Sequence, residues 1–237
     1  MAENPVKRRK PRTPARILKR LALLLALAGV AVLAAWLYAR QWRPDLAKYP
    51  VQGVDVSTAQ GAIDWPHARA DGVDFAYLTA TSGGARDPAF AANWAATGAI
   101  GLRRGAMHRW SLCAPAAAQA TGFLATVPRE ADALPPALVL AFDADCARRP
   151  GRDAVIAALT QFLAAAETHL GKPMVLKVTE DFEAAYAVTP EIDRTLWVVA
   201  NGLAPEYGAR PWVMWQASDM HRVDGIDAPV NWNVMRP

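Results

Sequence analysis

The sequence predicts an α/β protein: a small, irregular TIM-like (β/α) barrel preceded by one N-terminal transmembrane helix. Three observations lead there. Apolar, β-branched runs alternate with helical patterns at intervals of about 20–45 residues, as βα repeats on a mainly parallel sheet do. Seven or eight such runs in roughly 187 residues suit a barrel, with an open doubly wound sheet as the alternative. An uncharged stretch, Leu21 to Ala39, stands ahead of them, and about 19 helical residues nearly span a bilayer's hydrocarbon core.

Residues 1–20 hold eight basic side chains (Lys7, Arg8, Arg9, Lys10, Arg12, Arg16, Lys19, Arg20) against one acid, Glu3. That segment carries about +7, so with +4 for the whole chain the remainder sums to about −3. The basic excess belongs to the tail, and no nucleic-acid partner is inferred from it. Basic residues before an apolar span predict a cytoplasmic N-terminus and an exported remainder. Trp36 and Tyr38 sit at the far end, where amphipathic rings favour the membrane interface. A cleaved signal peptide is the competing reading, but its apolar core is usually shorter and ends in small residues, whereas Trp36-Leu37-Tyr38 is bulky. Residues 1–20 therefore read as a basic cytoplasmic tail, 21–39 as a membrane anchor, 40–50 as a Pro-containing linker and 51–237 as the folded domain.

Within that domain, Val51 to Ser57 is a strand that carries a carboxylate, Asp55, costly to bury without a partner. Asp64 is placed to cap a helix with Pro66 in its first turn. Val73–Leu78 is the next strand. Asp87-Pro88 opens a helix that runs through Trp94 and ends at Gly98. Ile100–His108 reads as a strand and Pro115–Val127 as an Ala-rich helix. Pro135 and Pro136 stop what precedes them, and Leu138–Phe142 is an unbroken apolar run suited to a strand buried on both faces. Asp143 and Asp145 follow at its end, where barrel chemistry sits; a solvated turn explains them equally. Asp153–Leu170 is a helix closed by Gly171-Lys172-Pro173, and strands are expected at Met174–Val178, Leu196–Ala200 and Trp212–Ala217.

No Gly-x-Gly-x-x-Gly or phosphate-loop pattern occurs, and no His, Cys and Asp residues fall at metal-ligand spacing. No cofactor and no metal are expected. Cys113 and Cys146 both lie on the exported side, where disulfides persist; paired, they close a loop of about 34 residues worth roughly 3–4 kcal/mol. Free buried thiols are the alternative.

A set of short motifs occurs in order: Gly53-Val54-Asp55-Val56-Ser57, Gly61-x-Ile63-Asp64-Trp65, Gly72-Val73-Asp74-Phe75, Asp87-Pro88-x-Phe90-x-x-Asn93-Trp94, Gly105-Ala106-x-His108, Gln119, Leu134-Pro135-Pro136, Trp215-Gln216 and Val230-x-x-Asn233-Val234. Together they resemble the family 25 glycoside hydrolases, which are lysozymes, over about residues 51–237. The resemblance implies an irregular (β/α) barrel and cleavage of peptidoglycan between N-acetylmuramic acid and N-acetylglucosamine. It places Asp55 on the family's first-strand aspartate, and it puts His108, Ser82, Trp215 and Asn231 along the substrate cleft. Cys113 and Cys146 are similar to a cysteine pair of a bacterial subgroup.

The chain departs from the family where the chemistry lies. The family's Asp-x-Glu, counted without gaps from Leu134-Pro135-Pro136, falls on Val139 and Ala141, and neither donates a proton. Its Lys-Ala-Thr-Glu-Gly is Thr79-Ala80-Thr81-Ser82-Gly83 here, its Tyr-His-Phe is Met107-His108-Arg109, and its Val-Asp-Leu-Asn is Val230-Asn231-Trp232-Asn233. Glycoside hydrolysis needs a protonated carboxyl at the glycosidic oxygen and a group that stabilises the oxocarbenium-like transition state. Moving Asp143 and Asp145 into the lost positions takes a four-residue strand slide, about 13 Å. Two readings follow: a membrane-tethered domain directed at peptidoglycan that keeps binding glycan or a partner protein while hydrolysis is weak or lost, or an active muramidase using Asp55 with Asp143 or Asp145. Trp65, Trp94, Trp212 and Trp215 are candidates for stacking on sugars, with ordinary core burial as the alternative.

Overall fold

A computed structural model describes residues 14–237, which form two compact units dividing between Gln41 and Trp42. Residues 1–13, most of the basic tail, lie outside the described residues.

The first unit is one helix, α1 (Pro14–Gln41), of 28 residues. It outruns the uncharged stretch because Ala, Leu, Lys and Arg all favour helix, so the flanking residues extend it. Its length is about 42 Å at 1.5 Å per residue. Leu21, Leu24, Leu27, Val30, Leu33 and Leu37 are all exposed. A helix that is apolar around its whole circumference has no face suited to water.

The second unit contains, in chain order, β1 (Gln52–Val56), α2 (Trp65–Ala70), β2 (Phe75–Ser82), β3 (Ala85–Arg86), α3 (Phe90–Ala99), β4 (Arg103–Arg109), α4 (Ala116–Leu124), β5 (Ala137–Leu140), α5 (Arg152–Leu170), β6 (Val175–Thr179), α6 (Glu180–Tyr186), α7 (Val188–Glu191), β7 (Leu196–Val199), β8 (Met214–His221) and β9 (Val230–Met235). Residues 42–50 are folded onto this unit rather than forming a free linker. Gln52 donates its amide to the carbonyls of Pro44 and Tyr49, both at 2.9 Å, and the Tyr49 ring lies 6.0 Å from Trp215 and 6.2 Å from Trp212.

Eight strands close a barrel in the order β1-β2-β4-β5-β6-β7-β8-β9, with β9 returning to β1 and the two-residue β3 paired on β2. All barrel neighbours are parallel except at β9, which runs antiparallel to both β8 and β1. The cause is the short connection: residues 222–229 are too few for a parallel crossover, which takes about a dozen residues, so the chain turns back. From β7 to β8 the chain crosses without a helix. The Tyr207 hydroxyl anchors that crossing, donating to the Val178 carbonyl at 2.7 Å and accepting from the Val199 amide at 2.6 Å.

Strand alternation divides the core. Phe75, Tyr77, Met107, Ala137, Val139, Val175, Trp197 and Met214 fill the barrel. Leu78, Leu138, Leu140, Leu176, Val178 and Val198 face outward and pack with Phe123, Leu159, Phe162 and Phe182 of the helices. The run at β5 is buried on both faces, as its lack of alternation predicts. Gly105 gives room to an aromatic inside the barrel: a Cβ there would stand 2.4 Å from the Tyr77 ring. Asp64 caps α2 by accepting from the His67 amide, and Gly171 closes α5 in the left-handed region at φ +69°. Gly98 does not end α3 as expected; the helix continues to Ala99 and Gly101 takes the positive φ. Gly98 instead makes room for the Arg104 guanidinium, 2.7 Å from where its Cβ would be.

Candidate active site at the barrel mouth

The C-terminal ends of the strands define the mouth. Register places Ser82, Arg109, Val139, Lys177 and Trp197 side by side on β2, β4, β5, β6 and β7. They share parity with Met107, Ala137 and Val175 one step deeper, so this row faces inward. Asp55 of β1 and Asn231 of β9 are paired partners on the other side of the mouth.

Asp55 is 5% exposed and Lys177 is 3% exposed. The Lys177 ammonium donates to Asp55 Oδ2 at 2.6 Å. Asn233 donates to the same oxygen at 2.9 Å, and Asn231 donates to Oδ1 at 2.9 Å. Asn233 Oδ1 in turn accepts from the Trp197 indole at 3.1 Å, and the Lys177 ammonium lies 4.2 Å from the centroid of that ring. Burial pulls the Lys177 ammonium below its usual range; the charge and hydrogen bond of Asp55 oppose the shift, and the nearby charge of Arg109 adds to it. Three donors thus hold Asp55 as an acceptor. Lys177 is not among the site residues the sequence predicts, although the sequence carries one signal for it. A lone lysine in an apolar strand must find a counter-charge, and Asp55, alone in another apolar strand, is its complement.

Val139 faces the mouth between Arg109 and Lys177. With Ala141, Ser82, Arg109, Trp110 and Asp143 it lines a cavity of about 50 Å³. Asp143 and Asp145 are exposed on the loop after β5. Asp143 closes a turn there: its side chain accepts from the Asp145 amide at 3.2 Å and its carbonyl from the Cys146 amide at 3.1 Å. That is the solvated-turn geometry, yet Asp143 still reaches the cavity wall, whereas Asp145 is not part of it. Cys113 and Cys146 form a disulfide that ties this loop to the one after β4. Among the described residues, no three His, Cys, Asp or Glu side chains gather where a metal ion could sit.

Two residues expected in the cleft lie elsewhere. His108 is on β4 between Met107 and Arg109, so alternation turns it outward into the helix layer. Its ring stacks on Phe162 at 4.6 Å. Nε2 is 3.0 Å from Gln119 Oε1, and Nδ1 is 2.6 Å from the Thr81 hydroxyl. Because Gln119 Oε1 also accepts from the Ser111 amide, we assign the ring proton to Nε2, with Nδ1 accepting from Thr81. Burial lowers the imidazole pKa to about 4, with the Gln119 bond opposing. A β-bulge between Thr79 and Thr81 sets this pairing and brings Ser82 to the mouth. Trp215 is likewise on the outer face of β8, donating to the Ala200 carbonyl at 2.7 Å. Trp65, Trp94 and Trp212 are buried too, so none of these four indoles is a sugar platform.

Comparison with known proteins agrees with this architecture. The sequence model described as glycosyl hydrolases family 25 matches residues 54–226. The Escherichia coli protein YegX, described as uncharacterized, is 32% identical over 197 residues, covering 79% of this chain and 70% of that one. A family 25 glycosyl hydrolase from Bacillus anthracis superposes with a TM-score of 0.74 at 28% identity, covering 83% of this chain and 92% of that chain. The bacterial lysozyme from Streptomyces coelicolor does so with a TM-score of 0.71 at 26% identity, covering 78% and 91%. A barrel closed by an antiparallel last strand, with this sequence match along most of its length, makes the chain a member of glycosyl hydrolase family 25.

Proposed function

We propose that this protein is a membrane-anchored, lysozyme-like domain directed at peptidoglycan, in which glycan binding persists and hydrolysis is weak or lost. One observation carries the reading. On β5 and just past its end, where the resemblance expects the acid pair, Val139 and Ala141 line the mouth, and the inward carboxylate of β1, Asp55, is bound to Lys177. A general acid alone is worth about 10²–10⁴ in rate, and no aliphatic side chain supplies it. The helix over residues 16–41, uncharged from Leu21 to Ala39, supports an anchor, and the disulfide fits an oxidising compartment outside the cytoplasm.

A second reading has its own support. Asp143 borders the same cavity as Val139 and Ala141, so a muramidase acting through Asp143, with Asp55 opposite, is the alternative. Release of reducing ends from purified peptidoglycan separates the two. The proposal expects release at the level of a protein-free blank, with the full chain still retained on insoluble peptidoglycan. Clear hydrolysis by the wild type that Asp143→Asn abolishes would establish the alternative. Labelling of cysteines introduced on either side of residues 21–39 in intact and permeabilised cells tests the orientation, with the N-terminal side expected to be protected.

A further inference from the structure

We infer that the barrel mouth carries a subsite for an anionic substituent of the glycan, a carboxylate held by Arg109 with Ser82. The inference rests on the glycan-binding reading and names the group it would select.

The mouth row has an unusual charge order. Arg109 and Lys177 stand on the two strands that flank β5, with neutral Val139 between them. Asp55 answers Lys177 at 2.6 Å, and both lie buried. Arg109 has no such answer: its guanidinium is exposed and makes no hydrogen bond or ion pair with another described residue. The three charges leave the inner mouth with a formal excess of one positive unit. A guanidinium without a protein partner, beside a hydroxyl, suits bidentate recognition of a carboxylate. Ser82 pairs with Arg109 in register and borders the same cavity. That cavity, about 50 Å³, has room for a small polar substituent and not for a sugar ring. Trp110 forms part of its wall, and the buried indole N–H of Trp110 has no acceptor among the described residues. Arg109 and Ser82 supply donors at the cavity wall. Asp143 is the one carboxylate on its rim and opposes an incoming anion.

Peptidoglycan offers carboxylates from two sources: the lactyl group of a muramic acid stripped of its peptide, and the stem peptide itself. Titration calorimetry on the full chain in detergent micelles distinguishes them. The probes are the N-acetylglucosaminyl–N-acetylmuramic acid disaccharide with a free lactyl group, the same disaccharide carrying its stem peptide, and chitobiose, which has no carboxylate. We expect at least one acidic probe to bind about tenfold or more tighter than chitobiose at low salt, with the preference shrinking as salt rises. Whichever acidic probe binds tighter identifies the source. Arg109→Gln, a change at an exposed and unpartnered side chain, is expected to cut the preference below about twofold, and Asp143→Asn to widen it. Equal affinity for chitobiose and both acidic sugars would overturn the subsite while leaving glycan binding standing. A preference that survives Arg109→Gln would also overturn it. No binding of any probe, together with no retention on insoluble peptidoglycan, would overturn both.

Discussion

Replacing Lys177 by methionine tests the central ion pair. The two charges are 2.6 Å apart with little exposure. At an effective dielectric of about 20 their attraction is about 6 kcal/mol, which roughly offsets the several kcal/mol per ion that burial costs. The pair as a whole therefore contributes little net stability, whereas breaking it is expensive. Lys177→Met leaves the Asp55 carboxylate with only the amides of Asn231 and Asn233 and no counter-charge. The expected loss is about 3–5 kcal/mol. Asp55→Asn alone strands the ammonium and should cost a similar amount. The double variant, Lys177→Met with Asp55→Asn, removes both charges and should return to within about 1–2 kcal/mol of wild type. Urea unfolding of the full chain in micelles, followed by tryptophan fluorescence, reads all four corners of the cycle. Additive losses, or a Lys177→Met cost below about 1 kcal/mol, would refute the description of the mouth as an Asp55-centred charge pair.

Other consequences can be measured the same way. His108 has its pKa lowered by burial to about 4, so the unfolded chain takes up the proton first. Its contribution is complete above about pH 6.5 and falls away as pH drops towards 4, about 3 kcal/mol in all; urea midpoints between pH 7 and pH 4 should show the slope, and a flat profile would contradict it. Reducing the Cys113–Cys146 disulfide opens a loop of about 34 residues and should lower stability by roughly 3–4 kcal/mol, seen as a drop in urea midpoint with reductant. Gly105→Ala would place a Cβ 2.4 Å from the Tyr77 ring, itself packed against Trp197 at 4.9 Å, and should cost about 1–3 kcal/mol in thermal or urea unfolding, whereas Gly84→Ala, with open space around it, should be near neutral.

The charge order at the mouth supports the proposal of weak or lost hydrolysis more strongly than the replacement of any one residue does. Most glycosidases place two carboxyl groups facing the sugar. Here Val139 stands between two cations, the inward carboxylate of β1 is satisfied by three donors, and the exposed Asp143 caps its own turn. On the proposed reading, such a surface recognises a ligand while Asp143 is the one carboxyl on the cavity's rim.

Much of the fold was legible in the chain because it depends on local chemistry. An uncharged apolar stretch of about 19 residues is long enough to read as a helix rather than a strand. Unbroken apolar runs such as Leu138–Phe142 mark buried strands, and Asp64 and Gly171 cap their helices through contacts a few residues away. The closing strand β9 is not evident from local pattern, because Val230, Trp232, Asn233 and Val234 are all buried, polar and apolar alike, only once the barrel closes. Likewise, nothing local ties Asp55 to Lys177, 122 residues away, or turns His108 and Trp215 out of the cleft. Which way a strand residue points depends on its register with neighbours far off in the chain, and a single bulge, here at Thr79–Thr81, shifts that parity. Residue types therefore announced the barrel, while only the closed sheet decided which of them meet at its mouth.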